Sequence, residues 1–240
     1  PCFSIFLTGR QRPVNRSKKT LSGNGFQLRQ VSVTDDGQKL VTIGNDRSLE
    51  QWNLLDGEKL SRTPFPTISK SVFGGLNQQG NLLAVAGGNN TNIINLWKLG
   101  EKKATLRIDT KQPIIGLAFN PKSSLIASVH QNNQMQIWSV RNGTRQLTLQ
   151  GHSQPIVQLV FSPVGNRMAT ASEDQTIKIW DTTSGEEILT LRGHQHTLTS
   201  LSFSHDGQRL ASADNQGNIQ LWDARPRLKS LPPKARLKNP

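Results

Sequence analysis

Apolar and polar positions along the chain recur in one local pattern. Each of the five tryptophans closes a short stretch in which the two kinds of residue alternate: Ile94-Asn-Leu-Trp97, Met135-Gln-Ile-Trp138, Ile177-Lys-Ile-Trp180 and Ile219-Gln-Leu-Trp222, with Leu49-Glu-Gln-Trp52 as the most degenerate copy. A period of two sends successive side chains to opposite faces of a β-strand, so these stretches read as half-buried strands. The tryptophans lie 45, 41, 42 and 42 residues apart. A further apolar stretch precedes each one, at 40–42, 83–85, 126–128, 168–170 and 210–212, and an earlier one ends near Phe119, Phe161 or Phe203. A last stretch follows the tryptophan, as at 187–191.

Glycine pairs punctuate these strands. Asp36-Gly37, Val164-Gly165 and Asp206-Gly207 divide the first strand from the second, and Asp56-Gly57, Asn142-Gly143 and Ser184-Gly185 divide the tryptophan strand from the fourth. Such pairs favour tight reversals because glycine tolerates positive φ. Four short strands in every ~40–45 residues predict an all-β chain of repeated four-stranded sheets, a β-propeller.

Here the sequence resembles the WD40-repeat family. The fourth unit carries the fullest set of motifs: Gly151-His152, Phe161-Ser-Pro163, Ala169-Thr170, Asp174 and Ile179-Trp180-Asp181. The fifth has Gly193-His194, Leu210-Ala-Ser212 and Trp222-Asp223. The resemblance implies a WD40-type β-propeller with five recognisable four-stranded blades, in a family whose members mostly close with seven. It is nearest to near-consensus bacterial members, whose arrays often follow a kinase or NTPase module; neither module is in this sequence. The chain then divides into a basic N-terminal segment at 1–17, a propeller region at 18–224 and a basic, proline-containing tail at 225–240.

Two arrangements stay open. Either Lys18–Ser22 supplies the outer strand of the last blade and closes a ring of five, or the five blades belong to a longer ring. Pro226, Pro232 and Pro233 spoil an outer strand after Trp222, because proline removes ladder donors. The start at Pro1 and the apolar Ile5–Thr8, read as a worn strand of an earlier blade, point to a C-terminal fragment of a longer array.

The resemblance also implies a hydrogen-bonded tetrad in each blade. In the fourth it comprises His152, Thr170, Asp174 and Trp180, with Ser172 as the alternative hydroxyl. The chemistry is coherent: a buried indole N–H needs an acceptor, a hydroxyl both accepts and donates, and a carboxylate accepts. A hydroxyl–His–Asp set also resembles a hydrolase triad, but a buried hydroxyl engaged by tryptophan, with no oxyanion donors, suits a structural role. The first blade would use Asn24, Thr42, Asp46 and Trp52; the third, Thr110, Ser128, Asn132 and Trp138. The fifth would use His194, Ser212 and Trp222, with Gln216 in place of the acid. The second has Thr67, Val85 and Trp97, and no network can run through valine. Blades four and one are therefore expected to be stiffest and blade two, with extra residues around 87–90, loosest.

Charge changes the picture only at the ends. The formal net charge is +13, from 29 Lys and Arg against 16 Asp and Glu. Residues 1–20 hold Arg10, Arg12, Arg16, Lys18 and Lys19 without an acid, and residues 225–240 hold Arg225, Arg227, Lys229, Lys234, Arg236 and Lys238 without an acid. Setting these eleven aside leaves 18 cations against all 16 acids, so the body is nearly neutral. One cysteine, Cys2, excludes an intrachain disulfide and fits a cytoplasmic setting. The apolar run at 2–7 is too short to span a bilayer.

No catalytic constellation, cofactor or metal is expected. His194 and His196 lack a third ligand, 87–90 has no lysine or following helix for a phosphate loop, and Asn142-Gly-Thr144 is a sequon without meaning in the cytoplasm. The leading expectation is a non-catalytic protein–protein interaction scaffold, its contacts carried by loop residues Arg47, Gln112, Asn133, Gln154, Gln175 and His196. The alternative is nucleic-acid or anionic-surface binding through the basic ends.

Overall fold

The computed structural model describes residues 28–224 apart from 35, 45, 47, 65–71, 88–91, 100 and 102. Asn24, Arg47, Thr67, most of the extended turn near residue 90 and both basic ends therefore lie outside the described residues. Within them every regular element is a β-strand, and the strands fall in chain order into five antiparallel sheets.

The first sheet comprises β1 (Leu28–Val33), β2 (Lys39–Gly44), β3 (Ser48–Asn53) and β4 (Lys59–Pro64). The second comprises β5 (Val72–Leu76), β6 (Leu82–Gly87), β7 (Ile93–Lys98) and β8 (Leu106–Asp109). The third comprises β9 (Ile114–Phe119), β10 (Leu125–His130), β11 (Met135–Ser139) and β12 (Arg145–Leu149). The fourth comprises β13 (Ile156–Phe161), β14 (Arg167–Ser172), β15 (Thr176–Asp181) and β16 (Glu187–Arg192). The fifth has three strands among the described residues: β17 (Leu198–Phe203), β18 (Arg209–Asp214) and β19 (Ile219–Asp223). All five are simple meanders.

The register explains why the tryptophan recurs. Trp138 pairs with Ile126, Trp180 with Met168 and Trp222 with Leu210, always between the third and second strands. The period of two then turns the tryptophan toward the preceding sheet and its neighbour toward the following one. Trp138 packs with Ile94, Leu96 and Ile108 of the second sheet, whereas Ile137 packs with Ile156 and Met168 of the fourth. Four such cores lie between successive sheets.

The turns seat each sheet against its predecessor. Gly165 has φ of 80°, a conformation that costs an L-residue about 1–2 kcal/mol. A Cβ there would stand 3.3 Å from Pro121 Cδ of the preceding sheet. Gly207 repeats the arrangement against Pro163. In the third sheet the left-handed position is held by Ser123, whose side chain joins Gln79 and Asn77 across the junction.

Candidate functional site

The buried polar groups gather where the second strand, the third strand and the segment leading into the sheet meet. In the fourth sheet Trp180 Nε1–H donates to Thr170 Oγ1 at 2.9 Å, and Thr170 Oγ1 lies 2.8 Å from His152 Nε2. His152 Nδ1 is 2.8 Å from Asp174 Oδ2. The imidazole stands edge-on to the indole, with ring centroids 6.4 Å apart. Glycine at 151 belongs to the same construction: a Cβ there would sit 2.8 Å from Trp180 Cη2, so only hydrogen fits between the backbone and the ring. Thr170, and not Ser172, receives the indole; Ser172 Oγ donates to Gln154 O at 3.0 Å.

Burial lowers the pKa of His152, against the opposing pull of Asp174. Burial would raise Asp174, but hydrogen bonds from Thr176 and His152 outweigh it and hold the carboxyl below its ordinary value. The set is thus a neutral imidazole oriented by a carboxylate, with its other nitrogen on a fully buried hydroxyl.

The fifth sheet carries the same set with a different acid. Trp222 Nε1–H donates to Ser212 Oγ at 2.9 Å, Ser212 Oγ lies 2.7 Å from His194 Nε2, and His194 Nδ1 lies 3.0 Å from Asp214 Oδ2. The expectation that Gln216 replaces the acid is corrected: Asp214, two residues after Ser212 on the same strand, fills the role. Burial opposes its ionisation, but His194, Asn218 and the Gln216 amide hold its carboxyl far below the ordinary range.

The other sheets depart further. In the third, Trp138 Nε1–H donates to Ser128 Oγ at 2.9 Å, but the imidazole on that hydroxyl is His130, at 2.9 Å. Thr110 donates instead to the carbonyls of Asn92 and Gln112, and Asn132 Oδ1 accepts from Gln134 N–H, so neither joins the expected tetrad. Burial lowers the pKa of His130, against the carbonyls of Gln112 and Pro113 and the side chain of Gln136. In the first sheet the indole of Trp52 reaches Thr42 Oγ1 only at 3.4 Å. Asp46 is removed from that contact: it binds Ser48 Oγ and the Arg62 guanidinium, the latter at 2.6 Å. In the second sheet Val85 stands in the hydroxyl's place, and Trp97 Nε1 is buried without a partner among the described residues.

A single signal finds the residues that sequence reasoning missed. Positions two apart on a strand share a face. Ser128 and His130, Thr170 and Ser172, and Ser212 and Asp214 are such pairs, so the position after the hydroxyl by two points into the same junction.

A family model described as WD domain, G-beta repeat matches residues 143–181 and 185–223. These two stretches are WD40 repeats. Each matched WD40 repeat runs from the outer strand of one sheet to the tryptophan strand of the next, β12 to β15 and β16 to β19, so the sequence repeat straddles two blades. The chain is 27% identical to WD repeat-containing protein slp1 of Schizosaccharomyces pombe over 59% of its length, and that match covers 30% of the relative. It is 26% identical to Protein FIZZY-RELATED 3 of Arabidopsis thaliana over 55% of its length, covering 28% of the relative. A 32% identical stretch of Protein tipD of Dictyostelium discoideum covers 32% of the chain and 12% of that relative. The chain thus spans under a third of these relatives. The expected likeness to bacterial members is not borne out, since these relatives come from a yeast, a plant and an amoeba.

The five sheets are WD40 blades, and their loops form two faces. The segments leading into the first strands and the turns between second and third strands share one face. Gln154, Gln175 and His196 are exposed on it. Asn133, with φ of 63°, is half-buried, and its N–H donates to His130 O. Gln112 is corrected from a solvated tip: its Oε1 is buried and has no partner among the described residues. Among the described residues no three His, Cys, Asp or Glu side chains gather to hold a metal, and no helix is long and apolar enough to cross a membrane.

Proposed function

We propose that the chain is a non-catalytic protein-interaction platform, in which the indole–hydroxyl–imidazole sets are fastenings and the loops above them are the working surface. One observation carries the reading: the groups that resemble a catalytic triad are consumed internally. Thr170 is 0% exposed with its hydroxyl between Trp180 and His152, and Ser212 is 2% exposed between Trp222 and His194. A nucleophile needs an accessible oxygen and room for a substrate carbonyl. The polar groups that remain available lie in the loops. A cytoplasmic setting belongs to this reading and is supported by the single cysteine.

The test separates the face from the ends. A displayed library of random peptides is selected on the full chain and on two variants, one with Gln154, Gln175 and His196 replaced by glutamate, the other with the cations of 1–20 and 225–240 replaced by serine. Double-stranded DNA and phosphatidylserine vesicles are measured in parallel. Peptides that bind the chain and the neutral-ended variant, and not the glutamate variant, support the platform. Binding that resides in the ends, collapses with salt and favours DNA or vesicles refutes it.

A further inference from the structure

The near-neutrality of the body conceals a separation of charge along the array. No Asp or Glu occurs between Asp109 and Glu173, a stretch that holds the whole of blade three. The consequence shows on the second face, formed by the turns between first and second strands and between third and fourth strands. With the strand residues that flank these turns, blades two and three present Lys98, Lys103, Lys122, Arg141 and Arg145 there against Glu101. All five cations are exposed, and none makes an ion pair or a side-chain hydrogen bond among the described residues. The blades on either side carry the opposite sign. In blade one Asp36, Asp56 and Glu58 outnumber Lys39 and Lys59, and in blade four Asp181, Glu186 and Glu187 outnumber Arg167.

The turns that bear the cations are joined into one plate. Gln79 Nε2–H donates to the Pro121 carbonyl at 3.1 Å and Asn77 Nδ2–H to Ser123 Oγ at 3.0 Å, so blade two holds the residues on both sides of Lys122. Within each blade the end of the third strand is tied to the first turn: Leu99 N–H donates to the Asn81 carbonyl at 2.8 Å and Val140 N–H to the Ser124 carbonyl at 2.9 Å. The turn that carries Arg141 closes on blade two, where a Cβ on Gly143 would stand 3.2 Å from Ile108 Cγ1. A surface whose backbone is fixed in advance binds with little ordering cost.

We infer that this sector of the second face, across blades two and three, binds a short acidic segment of a partner protein. Lys and Arg side chains left without a counter-charge are free to donate to carboxylates, and a patch of one sign steers the opposite sign to it. The flanking blades set the length. Packed sheets lie ~10 Å apart and an extended chain advances ~3.3 Å per residue, so two blades take about six residues. A bilayer or a long duplex would also press its phosphates onto the acidic turns of blades one and four, where like charges repel. None of the large exposed apolar side chains lies in the turns of blades two and three, and no aromatic residue occurs in them. They therefore offer neither an inserting tip for lipid nor a stacking platform for bases. The inference adds a second surface to the platform reading and takes from it only that the partner is a protein.

The experiment titrates labelled hexaglutamate, hexaglutamine and hexalysine peptides onto the full chain, with hexathymidylate, a long DNA duplex and phosphatidylserine vesicles in parallel. Hexaglutamate should bind and the other two peptides should not. Its affinity should fall at least ~10-fold between low and high salt, because exposed charges are screened. The reversal K103E/K122E/R141E should weaken it at least ~10-fold, since three modest exposed pairs become repulsions, and K103A/K122A/R141A should fall between. R192E, on the opposite face, should bind as the unsubstituted chain does. Replacing the cations of 1–20 and 225–240 by serine should leave a binding that the triple reversal still removes. Hexaglutamate binding that ignores the triple reversal, or that vanishes with the ends, overturns the inference. Tighter binding of hexathymidylate, duplex or vesicles at the same side chains does so too. The platform reading is judged separately, by peptides that depend on Gln154, Gln175 and His196: if those bind and hexaglutamate does not, only this inference falls, and if neither binds, both do.

Discussion

The hydroxyl at the centre of a fastening can be removed in one blade and added in another. Thr170→Val keeps the shape and takes away the oxygen. Trp180 Nε1–H at 2.9 Å and His152 Nε2 at 2.8 Å lose their shared partner, in a site where Thr170 has no exposed surface. A buried polar group left unsatisfied costs ~1–3 kcal/mol, and no cavity forms, so the two together should cost about 2–4 kcal/mol. At ~2–4 °C per kcal/mol for a chain of this size, melting should fall by ~4–16 °C. Val85→Thr runs the change in reverse. Trp97 Nε1 is buried without a partner among the described residues, and the new hydroxyl can donate to the Asn95 carbonyl opposite, as Ser128 Oγ does to Gln136 O at 3.4 Å. A gain of about 1 kcal/mol is expected. Thermal denaturation followed by tryptophan fluorescence measures both, with Thr148→Val on the exposed side of β12 as control. If Thr170→Val melts with the control, or Val85→Thr destabilises, the buried hydroxyl is not the fastening.

Three other outcomes follow from the same geometry. Asp214→Asn should loosen the fifth blade, seen as faster amide exchange in β18 and β19, whereas Gln216→Ala should leave exchange unchanged; equal effects would return the acid's role to the turn. Gly165→Ala should cost ~1–2 kcal/mol from its positive φ alone, with the close Pro121 Cδ adding to it, measured by urea denaturation. Stability should decline as the pH drops below ~6.5, because the unfolded chain then takes up protons that His130 and His152, their pKa values lowered by burial, refuse in the folded state. Asp174, its pKa lowered in the fold, contributes stability that is present above ~3.9 and lost as the pH drops through its folded value. His130→Asn should flatten the upper part of that slope in a pH series of melts; an unchanged slope would place the proton uptake elsewhere.

The blades were legible because their determinants are local. Alternation into each tryptophan, glycine at the reversals and the spacing of the copies place all five sheets before any contact is seen. The fastening of blade four was legible for the same reason, each member standing in its own copy of the pattern. Asp214 and His130 were not. Each replaces a loop residue with one already inside a strand, and which of two nearby side chains reaches a hydroxyl depends on how the strands twist together. The fate of Asp46 was equally hidden, since Arg62, sixteen residues on, draws it away. Gln112 reads as a loop tip from its neighbours and is partly covered by the third blade's interior.

The glycine turns impose a direction on the array. Gly165 rests on Pro121 and Gly207 on Pro163, while Gly143 and Gly185 rest on Ile108 and Leu147, always with the later sheet shaped to the earlier one. Gene-level shuffling of such a protein would therefore conserve seams before segments. A sheet moved to a new place keeps its own strands but meets a stranger at its back, and the smallest piece that can be exchanged without loss is two half-sheets with the boundary between them intact.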